Sequence, residues 1–77
     1  MTSKQDFLVE AIVSDIANWL MQDRSMDLLT AFRVIYNSQF FEKLQNASTG
    51  LYAESSAYNY DLLISEIENG KIVQTEI

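Results

Sequence analysis

The sequence contains no cysteine and no histidine, and these two absences exclude much of enzyme and metal chemistry. Without cysteine there is no disulfide framework, thiolate nucleophile, zinc ribbon or iron–sulfur cluster. Without histidine there is no Ser-His-Asp or Cys-His arrangement, no His-ligated metal and no general base of the commonest kind. We therefore expect a protein that is not an enzyme and that carries neither a cofactor nor a metal.

Proline is also absent, and glycine occurs only at Gly50 and Gly70. Nothing therefore interrupts a helix by necessity, and no glycine-rich loop can cradle a phosphate. The N-terminal segment has no uninterrupted apolar run, since Glu10 and Asp15 break it. The sequence predicts neither a signal peptide nor a membrane span, and we expect a cytoplasmic protein.

Basic residues are scarce, with 5 Lys and Arg against 11 Asp and Glu, which gives a formal net charge of -6. A protein that grips a phosphate backbone does so with Lys and Arg, so the charge argues against nucleic acid and against anionic membranes as partners. The 77 residues are 48% hydrophobic, too apolar for disorder. We expect one folded domain over 1–77, with 1–5 and 71–77 flexible.

Apolar spacing predicts an amphipathic helix over residues 7–21. Two neighbouring i,i+4 rows are aliphatic, so the apolar arc is wide and should pack against more than one neighbour as the central helix. The rows are Leu8, Ile12, Ile16 and Leu20, and Val9, Val13 and Ala17.

Capping residues predict the next two helices. Ser25 or Asp27 can cap a second helix that runs to about residue 36, and Ser38 can cap a third through residue 45. The buried side of the second helix is predicted as Leu28, Phe32 and Ile35, with Leu29 and Tyr36 at its margin.

Residues 46–50 give the strongest loop signal, and Ser55 or Ser56 can cap a fourth helix through about residue 68. Gly70 then suits the left-handed position after that helix. The apolar side of the fourth helix is predicted as Tyr58, Leu62, Leu63 and Ile67. Residues 71–77 could be extended, strand-like or disordered. The fold class we predict is all-α, a compact bundle of three to four helices with a short C-terminal tail.

Large aromatic side chains are the candidate partner-binding residues, because such anchors dominate interface energies. The alternative is that each ring fills the core, which a chain of this size needs. The candidates are Trp19, Phe40, Phe41, Tyr52, Tyr58 and Tyr60.

Acidic residues near the C-terminal end are predicted to form a solvated face rather than a metal or acid–base site, since residues two apart on a helix do not face each other. They are Glu54, Asp61, Glu66 and Glu68. The cations Arg24, Arg33 and Lys43 are too dispersed to indicate an anion site, and surface charge pairing is their expected role.

The second half of the chain carries a pattern whose most specific part is Thr49-Gly50-Leu51-Tyr52 followed by Ser55 and Tyr58. It resembles a family of small, mostly helical bacterial proteins of unknown function, some of whose relatives are encoded beside toxin-like genes. The resemblance implies an antitoxin-like or other partner-binding role in a bacterial cytoplasm, and it carries over no catalytic residue.

We therefore expect a non-enzymatic protein-interaction module, antitoxin-like or a regulatory subunit, whose partner is another protein or a second copy of itself. One alternative is a small helix-turn-helix DNA-binding regulator, for which residues 38–45 offer only Gln39, Lys43 and Gln45 as base or phosphate contacts. The other is a homo-oligomeric structural protein, because a small core leaves apolar surface to cover.

Overall fold

Helices account for most of the chain in the computed structural model, which describes residues 4–70. No strand occurs within that range, and the all-α class is confirmed. The predicted tail, 71–77, lies outside the described residues. The helices are α1 (Lys4–Asp23), α2 (Leu28–Tyr36), α3 (Gln39–Gln45) and α4 (Ser56–Asn69), with 3₁₀ turns at Ala47–Thr49 and Leu51–Ala53 between α3 and α4.

The central position predicted for the first helix is confirmed. Its wide apolar arc packs against α2, α3, α4 and the second 3₁₀ turn. The arc can serve several neighbours because its two aliphatic rows lie side by side around the helix axis. Its buried members are Val9, Ile12, Val13, Ile16, Ala17 and Leu20.

The first helix begins earlier than its apolar spacing predicted. Lys4 and Gln5, which we had placed in a flexible terminus, are the first two residues of α1. Gln5 Nε2 donates a hydrogen bond of 3.0 Å to the backbone oxygen of Gln45, at the end of α3. The sequence around Gln5 could not predict this contact, because its partner lies 40 residues away along the chain.

Side-chain contacts align α4 with α1 in the same chain direction. The hydrogen bonds join residues of α1, or Arg24 directly after it, to residues of α4 whose numbers rise in the same order, so the two helices run in the same direction. The pairs are Ser56 with Asp15 at 2.7 Å, Tyr60 with Asp23 at 3.0 Å, and Arg24 with Glu68 at 2.8 Å.

The N-terminus of α2 is capped by Asp27, which settles the choice between Ser25 and Asp27. Its carboxylate accepts a 2.8 Å hydrogen bond from the backbone N–H of Thr30. Hydrogen bonding by Thr30 holds the pKa of Asp27 below its usual value, since the bond favours the charged form.

Serine caps begin the last two helices. Ser38 and Ser55 accept 3.0 Å hydrogen bonds from the backbone N–H groups of Phe41 and Tyr58, respectively. Gly70 follows α4 with φ at 76°, a left-handed conformation that glycine adopts without steric cost. These three local predictions are confirmed, with Ser55 chosen over Ser56.

Two side chains predicted to point inward are exposed. Leu28 is 51% exposed and Ile67 is 39% exposed, so the predicted buried faces of α2 and α4 were wrong at these positions. Each residue lies in a terminal turn of its helix, where the neighbouring helices cover less of the surface. The buried apolar residues of these helices are Ala31 and Ile35 in α2, and Leu62 and Leu63 in α4.

A buried asparagine ties α4 to the connection that precedes it. Asn59 is fully buried, and its Nδ2 donates to the backbone oxygens of Leu51 at 3.0 Å and Ser55 at 2.9 Å. Its Oδ1 accepts no hydrogen bond from the described residues. The sequence gives no sign that Asn59 is a core residue, because a polar side chain in a helix is more often exposed.

We had predicted that Glu66 belongs to a solvated acidic face. The structure corrects this prediction, because Glu66 caps a neighbouring helix. Its Oε2 and Oε1 accept 2.9 Å hydrogen bonds from the backbone N–H groups of Gln39 and Phe40, the first two residues of α3. These N–H groups have no partner inside their own helix, and the positive end of the helix dipole favours a carboxylate there. Glu66 therefore fastens α4 to α3.

Replacing Glu66 with glutamine is expected to lower the free energy of unfolding by about 1–2 kcal/mol. The amide oxygen can accept a hydrogen bond from one backbone N–H, but the amide NH₂ group then faces the other N–H and leaves it without an acceptor. Urea unfolding followed by circular dichroism would measure the loss. Glu68→Gln is the matched control: the Glu68 side chain is 57% exposed in its pair with Arg24, and such pairs contribute under about 1 kcal/mol. Equal losses for the two variants would contradict the capping role.

Candidate functional site

The aromatic residues singled out in the sequence do not form one cluster. Trp19 and Tyr60 pack together at a ring distance of 5.3 Å, both partly buried against the core. The Tyr60 hydroxyl donates a 3.0 Å hydrogen bond to Asp23. Burial, together with this bond to a carboxylate, raises the pKa of Tyr60. Tyr52 and Tyr58 also lie partly buried against the core.

Phe40 lies in the centre of the protein. Its side chain is 0% exposed, so the expectation that it contacts a partner has to be corrected. The reason is the position of α3: Phe40 and Leu44, four residues apart, form the inward row of that helix. Adjacent residues in a helix point about 100° apart, so the side chain of Phe41 lies at the edge of the core, where it is only partly buried.

Phe41 belongs to a row of three aromatic rings that spans α2 and α3. Phe32 and Tyr36, one helical turn apart on α2, stack at 5.8 Å with an angle of 16° between their planes. Tyr36 then meets the edge of Phe41 at 4.8 Å and 81°. Both geometries are favourable arrangements for aromatic rings, so the three rings stabilise one another's positions.

The three rings line a groove of about 520 Å³, which we call the aromatic groove. Residues of α1 and Gln45 of α3 also line it. Apolar side chains lie at Val9, Val13, Phe32, Tyr36 and Phe41, and polar ones at Gln5, Asp6, Glu10, Ser14 and Gln45.

An exposed apolar surface adjoins the groove along α2. Leu29 is 61% exposed, Tyr36 is 53% exposed, and Leu28 lies beside them. Helical spacing places these residues and Phe32 on one arc of about 100° around the axis of α2. This arc lies next to the buried row of Ala31 and Ile35. We call this surface the α2 stripe: Leu28, Leu29, Phe32 and Tyr36.

The composition of α2 indicates the α2 stripe in the sequence. All nine residues of α2 are apolar or aromatic except Thr30 and Arg33. A helix that is apolar on nearly every side needs cover on nearly every side, and only one flank of α2 faces the core of this small bundle.

The described part of the chain holds neither a metal site nor a membrane-spanning helix. Residues 4–70 bring together no group of three acidic, histidine or cysteine side chains able to hold a metal ion. Among the same residues, no helix has the length and apolar character needed to cross a bilayer.

The fold and the groove define a small all-α domain with an aromatic groove between its first three helices. No protein-family model matches the sequence, and no curated protein or solved structure is significantly similar to it.

Proposed function

We propose that this chain is a non-enzymatic protein-interaction module, an antitoxin-like or regulatory subunit of the bacterial cytoplasm, that binds its partner through the aromatic groove and the α2 stripe. The observation that carries the proposal is the row of Phe32, Tyr36 and Phe41 along the groove, next to half-exposed leucines. Tyrosine and other large aromatic side chains are enriched in interfaces, and contiguous exposed apolar surface marks interaction sites.

Of the six aromatic candidates from the sequence, only Phe41 lines the proposed binding groove. All six except Phe40 are partly buried against the core, but Trp19, Tyr52, Tyr58 and Tyr60 do not line the groove. Phe40 is left out because it has no exposed surface. The binding residues we propose are therefore Leu28, Leu29, Phe32, Tyr36 and Phe41.

The test compares two exposed apolar residues of similar size. The protein is tagged at its native level, purified gently, and its partners are identified by mass spectrometry for the wild type, Leu29→Ser and Ile67→Ser. Leu29 lies in the α2 stripe, whereas Ile67 lies on α4 and is 39% exposed. We expect a stoichiometric partner that Leu29→Ser loses and Ile67→Ser keeps, because the central apolar contacts of an interface carry most of its energy.

The same preparation separates this proposal from a homo-oligomeric structural protein. If the wild type purifies alone and light scattering gives a defined oligomer that Leu29→Ser dissociates, the α2 stripe joins copies of this chain and the module proposal fails. A partner that both variants retain equally would place the interface elsewhere and would also contradict the proposal.

The helix-turn-helix alternative is disfavoured by the position of Glu66. A recognition helix contacts base edges with its N-terminal residues, and phosphates favour helix N-termini. In α3 the first two N–H groups already bond the Glu66 carboxylate, which would repel a phosphate. A gel shift on random DNA at low salt is expected to show no binding.

A further inference from the structure

We propose that Asn69 is a site of spontaneous deamidation in the folded protein, and that its conversion loosens the C-terminal turn of α4. Asn69 is the last residue of α4, and Gly70 follows it as the C-cap. Both residues are exposed, so water reaches them. Neither residue belongs to the aromatic groove or the α2 stripe, so the conversion does not depend on the binding of a partner.

The reaction needs only these two residues and water. A hydroxide ion or water takes the proton from the backbone nitrogen of Gly70, and this nitrogen attacks the side-chain carbonyl carbon of Asn69. The side-chain nitrogen takes up a proton and leaves as ammonia, which closes a cyclic succinimide. Water then opens the ring. Opening at the side-chain carbonyl gives aspartate, whereas opening at the main-chain carbonyl gives isoaspartate, in which the chain runs through the former side chain.

Gly70 makes the attack easier than any other following residue would. Glycine has no side chain to obstruct the approach of its nitrogen to the neighbouring carbonyl, and its backbone turns freely. Gly70 has φ at 76°, and no atom lies within 4 Å of the position that a Cβ would take. Closure of the ring is therefore sterically unhindered at Asn69.

One hydrogen bond restrains the reaction in the folded protein. The Gly70 N–H donates a 2.7 Å bond to the backbone oxygen of Glu66, and this bond must open before the nitrogen can turn towards Asn69. The ends of helices are where local opening costs the least free energy. The reaction can thus proceed through opening of the last turn of α4, without unfolding of the core.

The other four asparagines of the chain are less suited to this reaction. Each of them precedes a residue that has a side chain. The side chains of Asn37, Asn46 and Asn59 are held by hydrogen bonds, and Asn59 is also fully buried. Asn18 is exposed but lies inside α1, where helix continues on both sides of it. Deamidation is therefore expected first at Asn69.

Conversion weakens the end of α4 in two ways. Either product places a carboxylate in the last turn, where the helix dipole disfavours negative charge, and three residues from Glu66, where like charges repel. Isoaspartate also lengthens the main chain by one carbon atom, which moves the Gly70 N–H away from the oxygen it bonds. Because Glu66 caps α3, a looser last turn weakens the contact between α4 and α3.

The experiment follows the full chain during warm incubation at mildly alkaline pH, under conditions in which circular dichroism shows that it stays folded. Mass spectrometry of proteolytic peptides assigns each deamidation to a residue, and chromatography separates the aspartate and isoaspartate forms. We expect Asn69 to convert several-fold faster than Asn18, Asn37, Asn46 or Asn59. A parallel incubation in urea is expected to speed conversion of Asn69 further, because unfolding removes the hydrogen bond of Gly70.

Variants connect the conversion to the stability of the helix end. Asn69→Gln keeps the amide but closes a ring much more slowly, so it is the matched control: incubation should lower the urea midpoint of the wild type and leave that of this variant unchanged. Asn69→Asp carries the charge of one product without the added carbon atom. Its urea midpoint is expected to lie between those of the fresh wild type and the purified isoaspartate form.

Two results would overturn the proposal. One is conversion of Asn69 in urea but not in the folded chain, which would mean that the Gly70 hydrogen bond protects the site. The other is an unchanged urea midpoint for wild-type protein that has largely converted, which would show that the last turn is not loosened. Neither result bears on the proposed interaction module, which the purification experiment with Leu29→Ser tests.

Discussion

Replacing Phe40 with alanine is expected to lower the free energy of unfolding by about 3–5 kcal/mol, the loss typical of a buried phenylalanine truncated to alanine. The side chain is fully buried, so its removal leaves a cavity as well as forfeiting apolar burial. Urea unfolding followed by circular dichroism would measure the difference. A domain of this size gains only a few kcal/mol from its core, so Phe40→Ala should be largely unfolded near room temperature.

The neighbouring phenylalanine supplies the matched control for this prediction. Phe41→Ala removes the same side chain from the groove wall, where it is only partly buried, and is expected to cost about half as much or less. Phe40→Leu, a smaller change, keeps the comparison measurable if Phe40→Ala does not fold. Equal losses for Phe40→Ala and Phe41→Ala would contradict the separation of the two rings into core and groove.

Replacing Asn59 with aspartate is expected to destabilise the protein by more than about 3 kcal/mol at neutral pH, because a carboxylate would be buried against two carbonyl oxygens in place of a donor. Those oxygens belong to Leu51 and Ser55, which lie 3.0 and 2.9 Å from Nδ2. Urea unfolding at neutral pH, compared with the wild type, would measure the effect.

The pH dependence and a second variant make the Asn59 prediction specific. Burial would raise the pKa of the introduced carboxyl in the folded state, so the folded variant binds its proton more tightly than the unfolded one. Its stability should therefore fall as pH rises and recover towards acidic pH, relative to the wild type. Asn59→Leu removes the two bonds without adding charge and should cost about 1–2 kcal/mol. A variant Asn59→Asp as stable as the wild type would refute the anchoring role.

The residues that stabilise the fold and those proposed to bind a partner are distributed differently in α3 and α2. In α3, the inward row supports the core and the adjacent Phe41 lines the groove, so one short helix serves both. In α2, the buried row is short, consisting of Ala31 and Ile35, and most of the remaining apolar surface is exposed or half-exposed. Substitutions at Leu29 are therefore expected to affect binding while leaving the free energy of unfolding nearly unchanged.

The helix boundaries were readable from the sequence because caps and apolar spacing act over a few residues. Ser38 and Ser55 bond N–H groups three residues ahead, so the signal and its target lie together in the chain. The central role of α1 was also readable, since two adjacent aliphatic rows need several neighbours. The start of α1 was not, because Gln5 bonds a residue 40 positions away.

The sequence by itself determined the all-α class and most of the helix ends, and it limited the number of helices to three or four. Its lack of cysteine and histidine narrowed the chemistry open to the chain. Only the tertiary structure decided that Phe40 is core while Phe41 is groove, that Glu66 caps α3, and that Asn59 holds the connection before α4. The physical reason is range: capping and periodicity are local, whereas burial and cross-helix hydrogen bonds depend on which helix faces lie against each other. The aromatic groove exists only because α1, α2 and α3 meet in this arrangement.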